Sequence, residues 1–200
     1  MTAGMKFNAL AGQSAIWITA KAAVSLSVVG LAGLVSRGGL ALAVIIVFMG
    51  VTGPTIRLVT MKMGGIYDRI LVSPASKPGF FLEFAGYWAV AVLLPLVPAI
   101  VAVAILAGPA MIIPVLAGTV LAVTSGTMAG FMSRGLSDAH LAALLVAGLL
   151  IALSLVRTPV AGLLPYSVLA AATPPPAALA ISAILPVASI ALLCVAVSRS

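Results

Sequence analysis

Residues Phe84–Ser133 read FAGYWAVAVLLPLVPAIVAVAILAGPAMIIPVLAGTVLAVTSGTMAGFMS, fifty positions without one Asp, Glu, Lys or Arg. A helix crosses the hydrocarbon core of a bilayer with roughly 20 apolar residues, so this run is too long for one span and suits two. Gly108-Pro109 supplies the break, because glycine turns freely and proline cannot continue the helical ladder. Spans are expected over 84–106 and 111–132.

The rest of the chain agrees with lipid as the solvent. Of 200 residues 64% are hydrophobic and 6% charged, and mean hydropathy is +1.34, whereas soluble domains carry roughly 25% charged residues. The expected class is an all-α integral membrane protein with six transmembrane helices. Further spans are expected over 16–36, 38–56 (bent near Gly53-Pro54), 141–156 (N-capped by Ser137) and 177–197 (kinked at Pro186). Phe7, Leu10 and Ala11 can share one face of a short interfacial helix within 1–15. Asn8, Gln13 and Ser14 interrupt any apolar core there, so no cleavable signal is expected. The segment 157–176 holds Pro159, Gly162, Pro165 and Thr173-Pro174-Pro175-Pro176, too broken for a span. It is expected as short re-entrant or interfacial outer helices shielded by protein.

Charge sets the orientation. With the N-terminus inside, Lys6, Lys21, Arg57, Lys62, Arg69, Lys77, Arg134 and Arg199 are cytoplasmic and only Arg37 and Arg157 are outside. Lys and Arg accumulate on the cytoplasmic side, so both termini are expected there. The basic excess is then topological and no nucleic-acid partner is expected. Cys194 is the single cysteine, which excludes an intrachain disulfide and a thiolate cluster. Asp138 and His140 are two apart and point to different sides of a helix, so they form no metal pair, and no metal site is expected.

Six of the thirteen charged residues fall between Arg57 and Glu83, in the expected cytoplasmic loop 57–83. Gly64-Gly65 stops what precedes, and Ile66 to Val72 can make two helical turns with Ile66, Tyr67, Ile70 and Leu71 on one face and Asp68 and Arg69 on the other. Ser73-Pro74 ends that helix. Ser76 can cap the next, with Pro78 in its first turn, and Phe80, Phe81 and Phe84 anchor its entry at the interface. Such a helix either connects two spans or docks a cytoplasmic partner.

Gly65-Ile66-Tyr67-Asp68-Arg69-Ile70-Leu71-Val72-Ser73-Pro74-Ala75-Ser76 resembles the loop after the second span in permeases of type-two ABC exporters, commonly Gly-Thr-Leu-Glu-x-Leu-Leu-Val-Ser-Pro-Val-Ser. The glycine, an acid in the glutamate's place, the apolar pair and Val-Ser-Pro-x-Ser are kept. Leu164-Pro165-Tyr166-Ser167 followed by Thr173-Pro174-Pro175-Pro176 is similar to the family's outer segment. Met63-Gly64 stands where many members have Glu-Arg. The resemblance implies a plasma-membrane exporter subunit, a second permease chain, and a separate ATPase subunit that binds ATP and Mg and meets Tyr67, Asp68, Arg69, Ile70 and Leu71. No phosphate-binding loop occurs in this chain, so no cofactor is expected on it.

In the expected fourth span, Gly126 and Gly130 form a Gly-x-x-x-Gly pair that lets helices approach closely. Thr119, Thr124, Ser125 and Thr127 make it the most polar span; their hydroxyls either line a path or bond back to their own helix. No carboxylate, His or Cys cluster suggests catalysis. A secondary carrier or channel is the alternative to the exporter, and a non-transporting membrane scaffold is a third reading.

Overall fold

The computed structural model describes residues 15–33, 38–71, 77–155, 161–171 and 176–198. Most of the expected interfacial helix over 1–15, together with Arg37, Ser73, Pro74, Ser76, Arg157, Thr173 and Arg199, lies outside them, as do the side chains of Arg69, Ile70 and Leu71. Among the described residues there are helices and no strand. They are α1 (Ala15–Gly33), α2 (Gly38–Met63), α3 (Ile66–Leu71), α4 (Lys77–Ala107), α5 (Ile112–Met132), α6 (Leu136–Leu155), α7 (Pro165–Ala170) and α8 (Pro176–Ser198). Short 3-10 turns at Pro109–Met111 and Ala161–Leu163 precede α5 and α7.

Among the described residues five helices are long and apolar enough to cross a membrane: α2, α4, α5 with its leading turn, α6 and α8. Their outward faces are apolar too. On α6, Leu141, Leu144, Leu145 and Leu149 are all exposed, a surface that lipid accepts and water does not. The chain is a multi-pass membrane protein. α1 is a further apolar helix of 19 residues.

The break at Gly108-Pro109 is present, and its cause is visible: Gly108 has φ 99°, which only glycine adopts without strain. Three boundaries differ from expectation. α2 runs on to Met63, carrying Arg57 and Lys62 as helical residues, with Pro54 buried inside it. α4 starts at Lys77 and passes through Pro95 and Pro98 without interruption. α6 starts at Leu136, so Ser137 is helical and does not cap it. The Ala139 N–H donates to the Gly135 carbonyl at 2.9 Å, which makes Gly135 the residue at the cap, since that position's carbonyl accepts the first helical bond.

α2 is the centre. Leu42, Ile46, Val47, Val51, Leu58 and Val59 are wholly buried, each on the face that meets a neighbouring helix. α5 runs parallel to α2 in close contact, Gly50 meeting Ala122 at the middle of both helices and Thr55 meeting Gly130 nearer their C-terminal ends. α1 lies along α4, where the Ser25 hydroxyl donates to the Pro95 carbonyl at 3.4 Å.

The two short helices occupy opposite ends of the bundle. α7 sits where α2 and α5 begin. The Tyr166 hydroxyl donates to the Gly118 carbonyl at 2.7 Å, and the Leu169 carbonyl lies directly against Gly39. Burial pushes the Tyr166 phenol up, so it stays a donor. Tyr166→Phe should cost about 1 kcal/mol, seen as a lower midpoint in a thermal melt in detergent. α3 sits where α2 and α5 end. Arg57, Lys62, Asp68, Lys77, Glu83, Arg134 and Asp138 all belong to that end by their places on α2 to α6.

Candidate functional site

The α3 end is built from a turn that the sequence dictates. Gly65 takes φ 65° and its N–H donates to the Lys62 carbonyl at 3.0 Å, the left-handed stop that closes a helix and that glycine supplies. The chain therefore reverses directly after α2 and lays α3 back across the bundle's end.

Tyr67 of α3 turns inward. Its ring meets Phe81 of α4 edge-on, centroids 6.3 Å apart. Phe81 is buried and also packs edge-on against Phe80 at 5.3 Å and Phe131 of α5 at 5.6 Å. Edge-to-face pairs of this kind add about 0.5–1.5 kcal/mol each beyond the area they bury. Leu193 and Val197 of α8 complete the cluster. Asp68 is exposed, and Ile66 is half-exposed. Burial, and secondarily the Asp68 carboxylate, push the Tyr67 phenol up, so it is neutral at physiological pH.

Lys62 fastens the same corner. Its ammonium donates to the carbonyls of Gly130 and Ser133, each at 3.1 Å, and to that of Phe131. These are carbonyls at the C-terminus of α5, which have no helical donor and form the negative end of its dipole. The same ammonium lies 5.6 Å from the Tyr67 ring centre and 5.4 Å from that of Phe131, within cation–π range. One side chain of α2 thus caps α5 and touches α3. Sequence reading counted Lys62 only as a topological charge. Its spacing gave a hint, since it stands one turn inside a glycine stop, but its acceptors lie some seventy residues away.

The residues singled out in α5 divide into three groups. Thr119 and Thr127 are buried and donate back to the Val115 and Val123 carbonyls at 2.8 and 2.7 Å, so their hydroxyls are spent within their own helix. Gly126 and Gly130 face α2 of the same chain, and Thr55 donates to the Gly126 carbonyl at 2.7 Å; they serve packing. Thr124 bonds Ser189 of α8 at 2.9 Å, and Ser125 lines a cleft between those two helices.

Among the described residues no group of His, Cys, Asp or Glu could hold a metal ion. His140 Nδ1 pairs with the Leu136 carbonyl at 2.7 Å, which fixes its ring locally. Cys194 is half-buried in α8. No protein-family model, curated protein or solved structure matches the chain.

Proposed function

We propose that this protein is the membrane-spanning permease subunit of an ATP-driven exporter, with α3 as the helix on which a separate ATPase subunit docks. The observation that carries the reading is the fastening of α3. A short helix presenting Asp68 outward is tied through Tyr67, Phe81 and Lys62 to the ends of α2, α4 and α5. Force applied to α3 therefore reaches three long helices at once, which a mere connector does not need. The pattern Gly65 to Ser76 supports it through its likeness to type-two ABC exporter permeases.

In this reading α1 is the sixth span and both termini lie in the cytoplasm of a cell whose plasma membrane holds the complex. The gathering of Arg57, Lys62, Lys77 and Arg134 at the α3 end supports that orientation. A second permease chain faces the first. ATP and Mg belong to the partner subunit, and this chain converts the partner's closure into alternating access.

Gentle extraction of the tagged protein from native membranes, with mass spectrometry of co-purifying chains, tests it. A stoichiometric partner carrying a phosphate-binding loop is expected. A clean preparation lacking such a partner, under conditions that keep other complexes whole, would turn the reading toward a secondary carrier. The double charge swap Asp68→Arg with Arg69→Glu is expected to uncouple the partner's ATP hydrolysis from transport by about tenfold or more while the spans stay inserted. Wild-type transport by an intact complex bearing that swap would remove α3 as the docking element.

A further inference from the structure

A cleft of about 150 Å³ opens between α5 and α8, lined by Thr124, Ser125, Met128, Ser189, Leu192 and Leu193. Two of its three hydroxyls are committed. Thr124 donates to Ser189 at 2.9 Å, and Ser189 donates to the Pro186 carbonyl at 2.8 Å. Ser125 is different. It is half-buried and makes no side-chain hydrogen bond among the described residues.

A serine left this way on a soluble protein would bond water. On the wall of a membrane span there is none, and an unmatched polar group there is costly. Depth narrows the possible partners. Ser125 lies seven residues before the end of α5 at Met132, roughly 10 Å along the axis at 1.5 Å per residue. A bilayer lipid whose headgroup sits at the helix ends brings only methylenes to that depth. The rest of the lining is uncharged, with Met128, Leu192 and Leu193 apolar, and Met128 can adapt its shape to a guest.

We propose that the cleft binds a neutral amphiphile that carries a hydrogen-bonding oxygen on an apolar body, of the long-chain alcohol or ester class, with Ser125 as its hydrogen-bond partner. An anionic guest is disfavoured because no lining side chain is cationic. That such a guest is cargo rests on the exporter reading; that it binds does not.

The test uses the full chain in nanodiscs of phosphatidylethanolamine and phosphatidylglycerol. The probes are a photoactivatable sixteen-carbon alcohol and the matching alkane, with labelled peptides mapped by mass spectrometry. Saturable labelling of 124–128 and 189–193 by the alcohol is expected, with diffuse labelling of outward faces by the alkane. Ser125→Ala should reduce the alcohol's labelling about two- to tenfold, the worth of one hydrogen bond, and leave labelling of 144–149 on α6 unchanged. Ser125→Leu, which fills the cleft, should abolish it. Equal labelling of the cleft by both probes, meaning hydrocarbon filling only, would overturn the proposal, as would a Ser125→Ala protein that labels like wild type. Neither ATP nor a partner is present, so the outcome is independent of whether an ATPase subunit exists.

Discussion

Replacing Gly126 by alanine will destabilise the protein by about 3 kcal/mol, whereas the same change at Gly86 will not. A Cβ at Gly126 would lie 2.5 Å from the Val51 carbonyl oxygen, 2.7 Å from the Val51 Cα and 2.9 Å from the Gly50 carbonyl oxygen. All three are backbone atoms of α2, so no side chain can swing away. The helices must separate instead, and the contact one turn on, where Gly130 meets the Thr55 backbone, opens with them. Overpacking costs about 1–3 kcal/mol, and loss of the Thr55 hydroxyl's bond to the Gly126 carbonyl adds about 1 kcal/mol. The gain in helix propensity from glycine to alanine, up to about 1 kcal/mol, offsets part of that. At Gly86 a Cβ meets nothing within 4 Å, leaving only the gain. Unfolding of both variants in mixed detergent micelles measures the difference. Equal stability would mean that α2 and α5 do not approach as closely as described.

Lys62→Met should have the largest functional effect of any single substitution at the α3 end. Methionine keeps much of the apolar stem and removes the donor from three carbonyls of α5. Bonds to a charged donor are worth about 1.5–3 kcal/mol when intact. Lys62 is half-buried, so water can replace some of them, and the expected loss of stability is about 2 kcal/mol. Coupling should suffer more. On the proposed exporter reading, with the end of α5 released from Lys62 and Tyr67, ATP-driven transport is expected to fall tenfold or more while the partner still co-purifies. Lys62→Arg keeps the charge and should recover part of the rate. Wild-type transport by Lys62→Met, in an intact complex, would exclude this clamp as the route of force.

Much of this architecture was legible because lipid simplifies the code. A run such as Phe84–Ser133 has to be helical, and Gly108-Pro109 has to break it. The ends of α2 and α4 were harder to read. Arg57 and Lys62 look like the exit from the membrane, yet a helix need not stop at a charge when that charge finds carbonyls on a neighbour. Ser137 looked like a cap, but Gly135 took the position because the helix began earlier. For the candidate site, Tyr67 and Asp68 were singled out from the local pattern and the resemblance it carries. Lys62 and Phe131 were not, since their roles exist only once α2 and α5 stand side by side. Gly126 and Gly130 announced a close neighbour without saying which one, and α2 is the answer.

That partnership has a consequence for how the chain is made. The hydroxyl of Thr55 and its acceptor at Gly126 are 71 residues apart. At a synthesis rate of about 5–20 residues per second, α2 waits roughly 4 to 14 seconds after emerging before α5 arrives. Throughout that interval Gly50 lacks the Ala122 contact and Lys62 has no acceptor on α5. Something has to hold α2 in the meantime, whether the insertion machinery, a chaperone or α1. The newborn chain is therefore most vulnerable to degradation in that window, and slowing translation between codons 64 and 126 should lower its yield without changing one residue of the finished protein.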